Sequence, residues 1–200
     1  MRGMRRDLTP AANPRLVIEP ATAERWPDLA DLFGANGAYS GCWCMFYRLT
    51  GREFSAAAGP PAKRMLHDLV TAGPAPGLLA YLDGAAVGWC ALAPREEYGR
   101  VQRSPLVKPI AADDTGVWSV TCFFVRRGQR RSGVAEALLG AAVEHAARQG
   151  ARVVEGYPVD PTDDRSADLF PGTLSMFRRS GFTEVRRSTP RRIVMRRSAG

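Results

Sequence analysis

Phe123 to Gly150 reads FFVRRGQRRSGVAEALLGAAVEHAARQG, and three kinds of local structure follow one another inside it. Val117 to Val125, which runs into this stretch, is almost wholly β-branched, aromatic or small apolar, and so predicts a strand. Arg126 to Ser132 then forms a polar turn with four arginines and a glycine. After Gly133, Val134, Leu138, Ala141, Ala142 and His145 recur at helical spacing. Arg148 stands in the last turn of that helix, and Gly150 stands where a left-handed cap belongs.

A strand, a basic turn and a glycine-started helix together make a cradle for anions. The first turn of a helix leaves backbone N–H groups unpaired at the positive end of its dipole. Gly133 has no Cβ and lets a phosphate come close, while Arg130 and Arg131 add charge suited to a diphosphate. A nucleotide, a dinucleotide or coenzyme A would all suit such a cradle. The glycine spacings of the dinucleotide fingerprint and of the P-loop are both missing.

Composition sets the outer limits. The chain has 200 residues, 45% hydrophobic and 24% charged, as expected of one ordinary globular domain. No apolar run approaches the ~18–20 residues of a membrane span. The opening MRGMRRDLTPAANPR lacks the apolar core of a secretory signal, so cytoplasm is the expected location. The net charge is +8, but only Lys63 and Lys108 are lysines, and all other basic residues are arginine. That skew reads as codon composition more than as a nucleic-acid surface. A basic strip favours polyanionic ligands, coenzyme A among them. A nucleic-acid reading stays open, without an aromatic platform or zinc-finger spacing to support it. Cys42 and Cys44 form C-W-C, which is not a zinc or redox spacing, and Cys90 and Cys122 fall in strands as small buried hydrophobes. No metal is expected.

Outside the cradle, residues 1–14 read as a disordered lead and 15–198 as one domain. Leu16 to Glu19 is a strand, Ala21 to Phe33 a helix with an apolar face, and Ala62 to Ala72 a second helix carrying a partly exposed His67. The segment Gly41-Cys42-Trp43-Cys44-Met45-Phe46-Tyr47-Arg48 is either a hydrophobic plug or the wall of a substrate pocket, and the two are compatible. Gly77 to Leu82 and Ala85 to Leu92 flank Asp83-Gly84, a hairpin signal. Residues 99–116 read as an excursion from the sheet. Val153 to Tyr157 is a strand, Asp160 to Pro171 a polar loop, Thr173 to Ser180 a short helix, and Phe182 to Arg187 with Arg192 to Met195 a closing hairpin. This order implies an α/β or α+β sandwich with helices on both faces of one sheet.

The run Arg130-Arg131-Ser132-Gly133-Val134-Ala135, five residues beyond Val125, resembles the pyrophosphate loop of the GNAT N-acetyltransferase superfamily, Q/R-x-x-G-x-G/A. Ser180-Gly181-Phe182 resembles its terminal "GF" signature. GCWCM, APRE, VEGYPVD and TLSMFRRSGF look like one bacterial branch of it. The resemblance covers almost the whole chain and implies a mixed, mostly antiparallel central sheet. It also implies acetyl-CoA as co-substrate, a small-molecule amine or peptide amino terminus as acceptor, and direct transfer in a ternary complex. It allows a homodimer. Arg130 to Ala135 would hold the cofactor, and a backbone N–H near Phe124 or Val125 would polarise the thioester.

One family feature is missing. Many members carry a tyrosine four residues before the glycine of "GF" to protonate the thiolate, and this chain has Phe177 there. Tyr157 is the substitute of choice, with Glu155 two residues earlier on the same sheet face. Their structural reading is a core-capping phenol and an arginine-paired carboxylate. Glu96, Glu97 and Ser175 are weaker candidates, and His145 reads as structural. Solvent could also carry the protons, with positioning as the protein's contribution. Phe177 further leaves open a non-catalytic CoA-binding protein of the same fold. The Asp-rich loop 160–168 could attract a cationic amine or simply be solvated.

Overall fold

The computed structural model describes residues 16–108, 114–160 and 169–200. The expected lead over 1–14 and most of the Asp-rich loop, 161–168, lie outside the described residues. The strands are β1 (Leu16–Pro20), β2 (Gly77–Leu82), β3 (Ala85–Pro94), β4 (Val117–Val125), β5 (Val153–Gly156), β6 (Thr183–Thr189) and β7 (Arg192–Ser198). The helices are α1 (Trp26–Phe33), α2 (Gly51–Ala57), α3 (Pro60–Ala72), α4 (Gly99–Arg103), α5 (Val134–Arg148) and α6 (Leu174–Arg179).

The strands form one sheet in the order β1-β2-β3-β4-β5-β7-β6. Every pairing is antiparallel except β4 with β5. Two parallel neighbours need a long crossover, and α5 supplies it. Asp83 and Gly84 both take positive φ, +49° and +82°, closing the expected β2–β3 hairpin with a two-residue turn of the favoured hand.

Side-chain alternation sorts the core onto the two faces of the sheet. On one face, Leu138, Leu139, Ala142 and Val143 of α5 and Leu174, Met176 and Phe177 of α6 pack on Cys90, Leu92, Val120 and Phe123. On the other, Leu29, Leu32 and Phe33 of α1 and Leu66 and Val70 of α3 cover Leu79, Trp89, Ala91 and Cys122. Each large apolar side chain buried this way contributes about 1.5–3 kcal/mol. A third cluster, Tyr47, Tyr98, Val101, Val107, Tyr157 and Val194, extends that second face toward the end of β5. His145 is buried against Trp118, with ring centroids 6.3 Å apart, the structural place expected of it.

The structure adds α2 and α4, which periodicity did not reveal. α2 rests on a local device. Thr50 accepts from the Glu53 backbone N–H while the Glu53 carboxylate takes the Thr50 N–H at 2.8 Å. The excursion after Pro94 contains α4 as a single turn. α3 begins at Pro60 instead of Ala62, because proline fits the first helical turn.

Candidate active site

The turn between β4 and α5 comes first. Arg126 N–H closes onto Val87 O at 2.8 Å, Gln129 N–H onto Arg126 O at 2.8 Å, and Ser132 Oγ onto Gln129 O at 2.6 Å. Arg130 Nε donates to Val125 O at 3.2 Å, folding the side chain back over the strand end. Among the described residues, the backbone N–H groups from Arg130 to Glu136 donate to no protein acceptor, and the helical ladder begins with Ala137 to Gly133. Gly133 caps α5 at φ +84°, and a Cβ built on it meets nothing within 4 Å. The turn thus presents a row of open donors at a helix N-terminus with clear space before them.

Arg127 and Arg131 make no ion pair among the described residues, while Arg126 pairs with Asp31 of α1 at 2.9 Å. A groove of about 520 Å³ runs behind the turn, between Arg126, Gly128 and Gln129, the β2–β3 hairpin and Asp28 and Asp31. Its rim carries the carboxylates of Asp28 and Asp31, on the side of the turn away from the open N–H row.

The second part is a wedge in the sheet. β4 and β5 pair from Val117↔Val153 to Val120↔Gly156 and then separate. Just beyond, the β3–β4 register slips between Ala91 and Leu92, leaving Thr121 as an extra residue, a bulge in β4. Phe123 N–H points into the opening and meets Phe170 O at 2.6 Å. Backbone direction alternates along a strand, so Val125 N–H faces the same opening, whereas Phe124 N–H turns toward β3. Of the two expected donors, Val125 therefore has the geometry. The Phe124 side chain packs on Phe33 at 5.5 Å between centroids.

Phe177 floors the wedge. It is fully buried, 4.9 Å from Phe182 and 6.3 Å from Phe123 between centroids, directly beneath Gly156. It offers no proton.

The polar part of the site lies on the opposite sheet face. Glu155 and Tyr157 share that face as their spacing requires, and Tyr157 donates to Glu155 Oε1 at 2.8 Å. Ser119 Oγ lies 2.8 Å from the same phenol. Arg196 Nε donates to Glu155 Oε2 at 2.7 Å, Arg95 Nη1 stands 3.6 Å from that oxygen, and both arginines also bind Asp114. Glu155 and Tyr157 are each only 1% exposed. Burial, then the neighbouring Glu155 charge, pushes the Tyr157 phenol well above its ordinary range. At Asp114 burial acts upward, but hydrogen bonds from Arg196 and Arg95 outweigh it and hold the carboxyl below its usual range. Chemically, this is a phenol kept protonated and aimed by a carboxylate, which two guanidinium groups in turn neutralise.

The aromatic segment connects to this network. Trp43, Cys44, Met45 and Tyr47 are buried, and Tyr47 stacks on Tyr157 at 6.0 Å. Trp89 Nε1 donates to Cys44 Sγ at 3.1 Å, and Cys44 Sγ lies 3.4 Å from Cys122 Sγ. Tyr98 Oη and Thr121 Oγ1 are buried beside the bulge and near each other, outside ordinary hydrogen-bond geometry and with no other protein partner among the described residues. Of the weaker candidates, Glu97 is occupied by Arg48 at 2.6 Å, Glu96 is exposed, and Ser175 Oγ lies 3.2 Å from Thr173 Oγ1. Arg95, Asp114, Arg196 and Ser119 escape a reading by motif. The one signal was Ser119 and Thr121, polar residues within an otherwise apolar strand.

Among the described residues, no group of His, Cys, Asp and Glu could hold a metal, and no helix is long and apolar enough to cross a membrane.

Comparison with known proteins agrees with this architecture. The family model described as "Acetyltransferase (GNAT) family" matches residues 43–171, more than half of the chain. No curated protein sequence is similar enough to count as a match. Among solved structures, the PaiA N-acetyltransferase from Thermoplasma acidophilum, in complex with coenzyme A, superimposes at TM-score 0.54. It shares 13% identity, with 92% of this chain and 99% of that one covered. A GCN5-related N-acetyltransferase from Kribbella flavida gives TM-score 0.53 at 19% identity, with 92% and 97% covered. A GNAT-family acetyltransferase from Brucella melitensis, in complex with acetyl-CoA, gives 0.50 at 15%, with 93% and 89% covered. At these identities the likeness speaks for the fold.

Proposed function

The chain belongs to the acetyltransferase (GNAT) family, and we propose that it moves the acetyl group of acetyl-CoA directly to a primary amine of a small molecule. The observation that carries this reading is the row of open N–H donors from Arg130 to Glu136, with clear space in front of Gly133. Arg131, Ser132, Gly133, Val134 and Ala135 would hold the diphosphate through their backbone, with Arg127, Arg130 and Arg131 neutralising it. When bound, acetyl-CoA supplies the activated acyl group.

The chain's own residues then do three things. Val125 N–H, aimed into the wedge, donates to the developing oxyanion. The apolar floor of Phe123, Phe177 and Phe182 excludes water, which strengthens that hydrogen bond. Tyr157 turns its O–H from Glu155 Oε1 and gives that proton to the departing thiolate, while Ser119 donates to the phenol oxygen. Solvent then restores the phenol proton. Glu155 has both oxygens occupied, so it positions Tyr157, and the amine proton leaves to solvent. A phenol held above its ordinary pKa donates uphill to a thiolate, so this transfer accompanies C–S cleavage and does not precede it.

The test is thiol release from acetyl-CoA over a panel of amines, for the parent and Tyr157→Phe. Loss of a general acid lowers kcat about 10²–10⁴-fold. Solvent-borne proton transfer predicts a kcat within about tenfold of the parent and would remove Tyr157 from the chemistry.

A further inference from the structure

Tyr157 has a neighbour that the transfer chemistry does not use. Two residues beyond it, Val159 bridges to Arg192 on one side and to Thr173 on the other. There the end of β5, the β6–β7 turn and the segment after α4 enclose a pocket of about 330 Å³, lined by Leu106, Val159, Thr189, Arg191 and Arg192. Among the described residues that line it are Arg191 and Arg192 and no carboxylate. We propose that this pocket receives a carboxylate carried on the amine acceptor itself, with Arg192 as the residue that reads it. The inference rests on the acetyl-transfer reading above and adds the acceptor's chemical class.

The charges around the hairpin single out Arg192. Arg187 is paired with Glu184 and Asp160, Arg196 with Glu155 and Asp114, and Arg186 donates to Lys108 O. The Arg192 guanidinium has no acidic partner among the described residues, while its backbone is held by Thr189 Oγ1 at 3.1 Å and by the bridge to Val159. Its charge is nevertheless felt inside the site. Burial pushes the Tyr47 phenol up to about 12, and Arg192 is the strongest influence pulling it back. Tyr47 is the ring stacked on Tyr157, so Arg192 stands one aromatic ring away from the proton donor.

A second observation has the same sign. Arg48, beside Tyr47 in the chain, stands 4.9 Å over the Tyr98 ring and keeps a buried Nη2 without a partner. The Arg48 charge is met by Glu97 at 2.6 Å through Nη1, so what stays open is one buried N–H donor, which an acceptor on a ligand or a water would complete. Leu106 and Val159 give the pocket an apolar wall for the acceptor's carbon stem. A planar guanidinium fork matches a carboxylate with two parallel hydrogen bonds. The net charge of +8 would draw such an acid and repel a polyamine.

The experiment uses amines that differ only in this charge. Phenylalanine, methionine, glutamate and 4-aminobutyrate are each compared with their carboxamides by thiol release at saturating acetyl-CoA, for the parent and Arg192→Gln. Comparing the acid-to-amide ratio between the two proteins cancels differences in amine basicity. In at least one pair the parent should favour the acid, and Arg192→Gln should lower that preference about ten- to a hundredfold, the range of a charge-assisted hydrogen bond. The amide rate is the internal reference in each protein, so any effect of Arg192 on the Tyr47 ring changes acid and amide alike and cancels in the ratio. Preference for no acid, acetylation of no acid, or a preference that survives Arg192→Gln overturns the inference. Thermal stabilisation by acetyl-CoA, read on the same samples, reports separately on the acetyl-transfer reading. If it is intact while acid preference is absent, only the acceptor class falls.

Discussion

Replacing Glu155 by glutamine removes one of two carboxylates from a cluster in which two acids neutralise two arginines. The side chains of Glu155 and Arg95 are 1% and 4% exposed, and those of Asp114 and Arg196 are 16% and 18% exposed. Glutamine keeps the shape and an oxygen for Tyr157 but turns its NH2 toward Arg196 Nε, so the charge and one acceptor are lost together. Removing one partner of a buried pair costs about 3–5 kcal/mol, since the remaining charge stays desolvated. Asp114 remains and Arg196 can turn toward water, which places this case near the lower end, about 3 kcal/mol. For a chain of this length each kcal/mol lowers Tm by about 2–4 °C, so Glu155→Gln should melt about 6–12 °C below the parent at pH 7. The assay is a reversible calorimetric or far-ultraviolet melt. Glu184→Gln is the control: its pair with Arg187 is about one-third exposed on both sides, and surface pairs contribute at most about 1 kcal/mol. If the two variants melt within about 2 °C of each other, the buried cluster does not hold β5 against β7 and the reasoning fails.

Further expectations concern the floor of the wedge and the response to acid. A Cβ on Gly156 would lie 2.1 Å from Phe177 Cε1, beneath a fully buried ring, so Gly156→Ala should cost about 1–3 kcal/mol. The double variant with Phe177→Leu should recover part of that loss, and a chemical denaturation curve would measure both. Burial, and then the charge of Arg148, holds His145 below the ordinary histidine range. The folded pKa therefore lies under the unfolded one, near 6.5, so the neutral ring contributes fully above that pH and its contribution is lost as pH falls below it. The Tm difference between the parent and His145→Gln should accordingly shrink from pH 7 to pH 5.

What the sequence made legible and what it hid differ in physical kind. The β4-turn-α5 unit was readable because strand propensity, the arginine turn and the helical period each act within about a turn of chain. The β2–β3 hairpin was readable from Asp83-Gly84 for the same reason. Placing Glu155 and Tyr157 on one face needed only strand alternation, and they do touch. Their partners were hidden, because Arg95, Asp114 and Arg196 come from three separate segments that only the sheet order brings together. α2 went unread because it depends on a capping box instead of an apolar stripe. The bulge at Thr121, the wedge beyond Val120 and the pocket at Arg192 are properties of strand pairing, which no local pattern encodes.

The central claim is that the turn from Arg130 to Ala135 binds the diphosphate of coenzyme A. It is tested most directly by titration calorimetry of coenzyme A into the parent, Gly133→Ala and Gly133→Glu. Both substitutions carry the same left-handed strain, about 1–2 kcal/mol, and their Cβ meets no protein atom within 4 Å, so both variants should fold. The account predicts binding to the parent, weaker binding to Gly133→Ala, and none to Gly133→Glu, whose carboxylate stands where the phosphates belong. Equal affinity for the parent and a folded Gly133→Glu would contradict it.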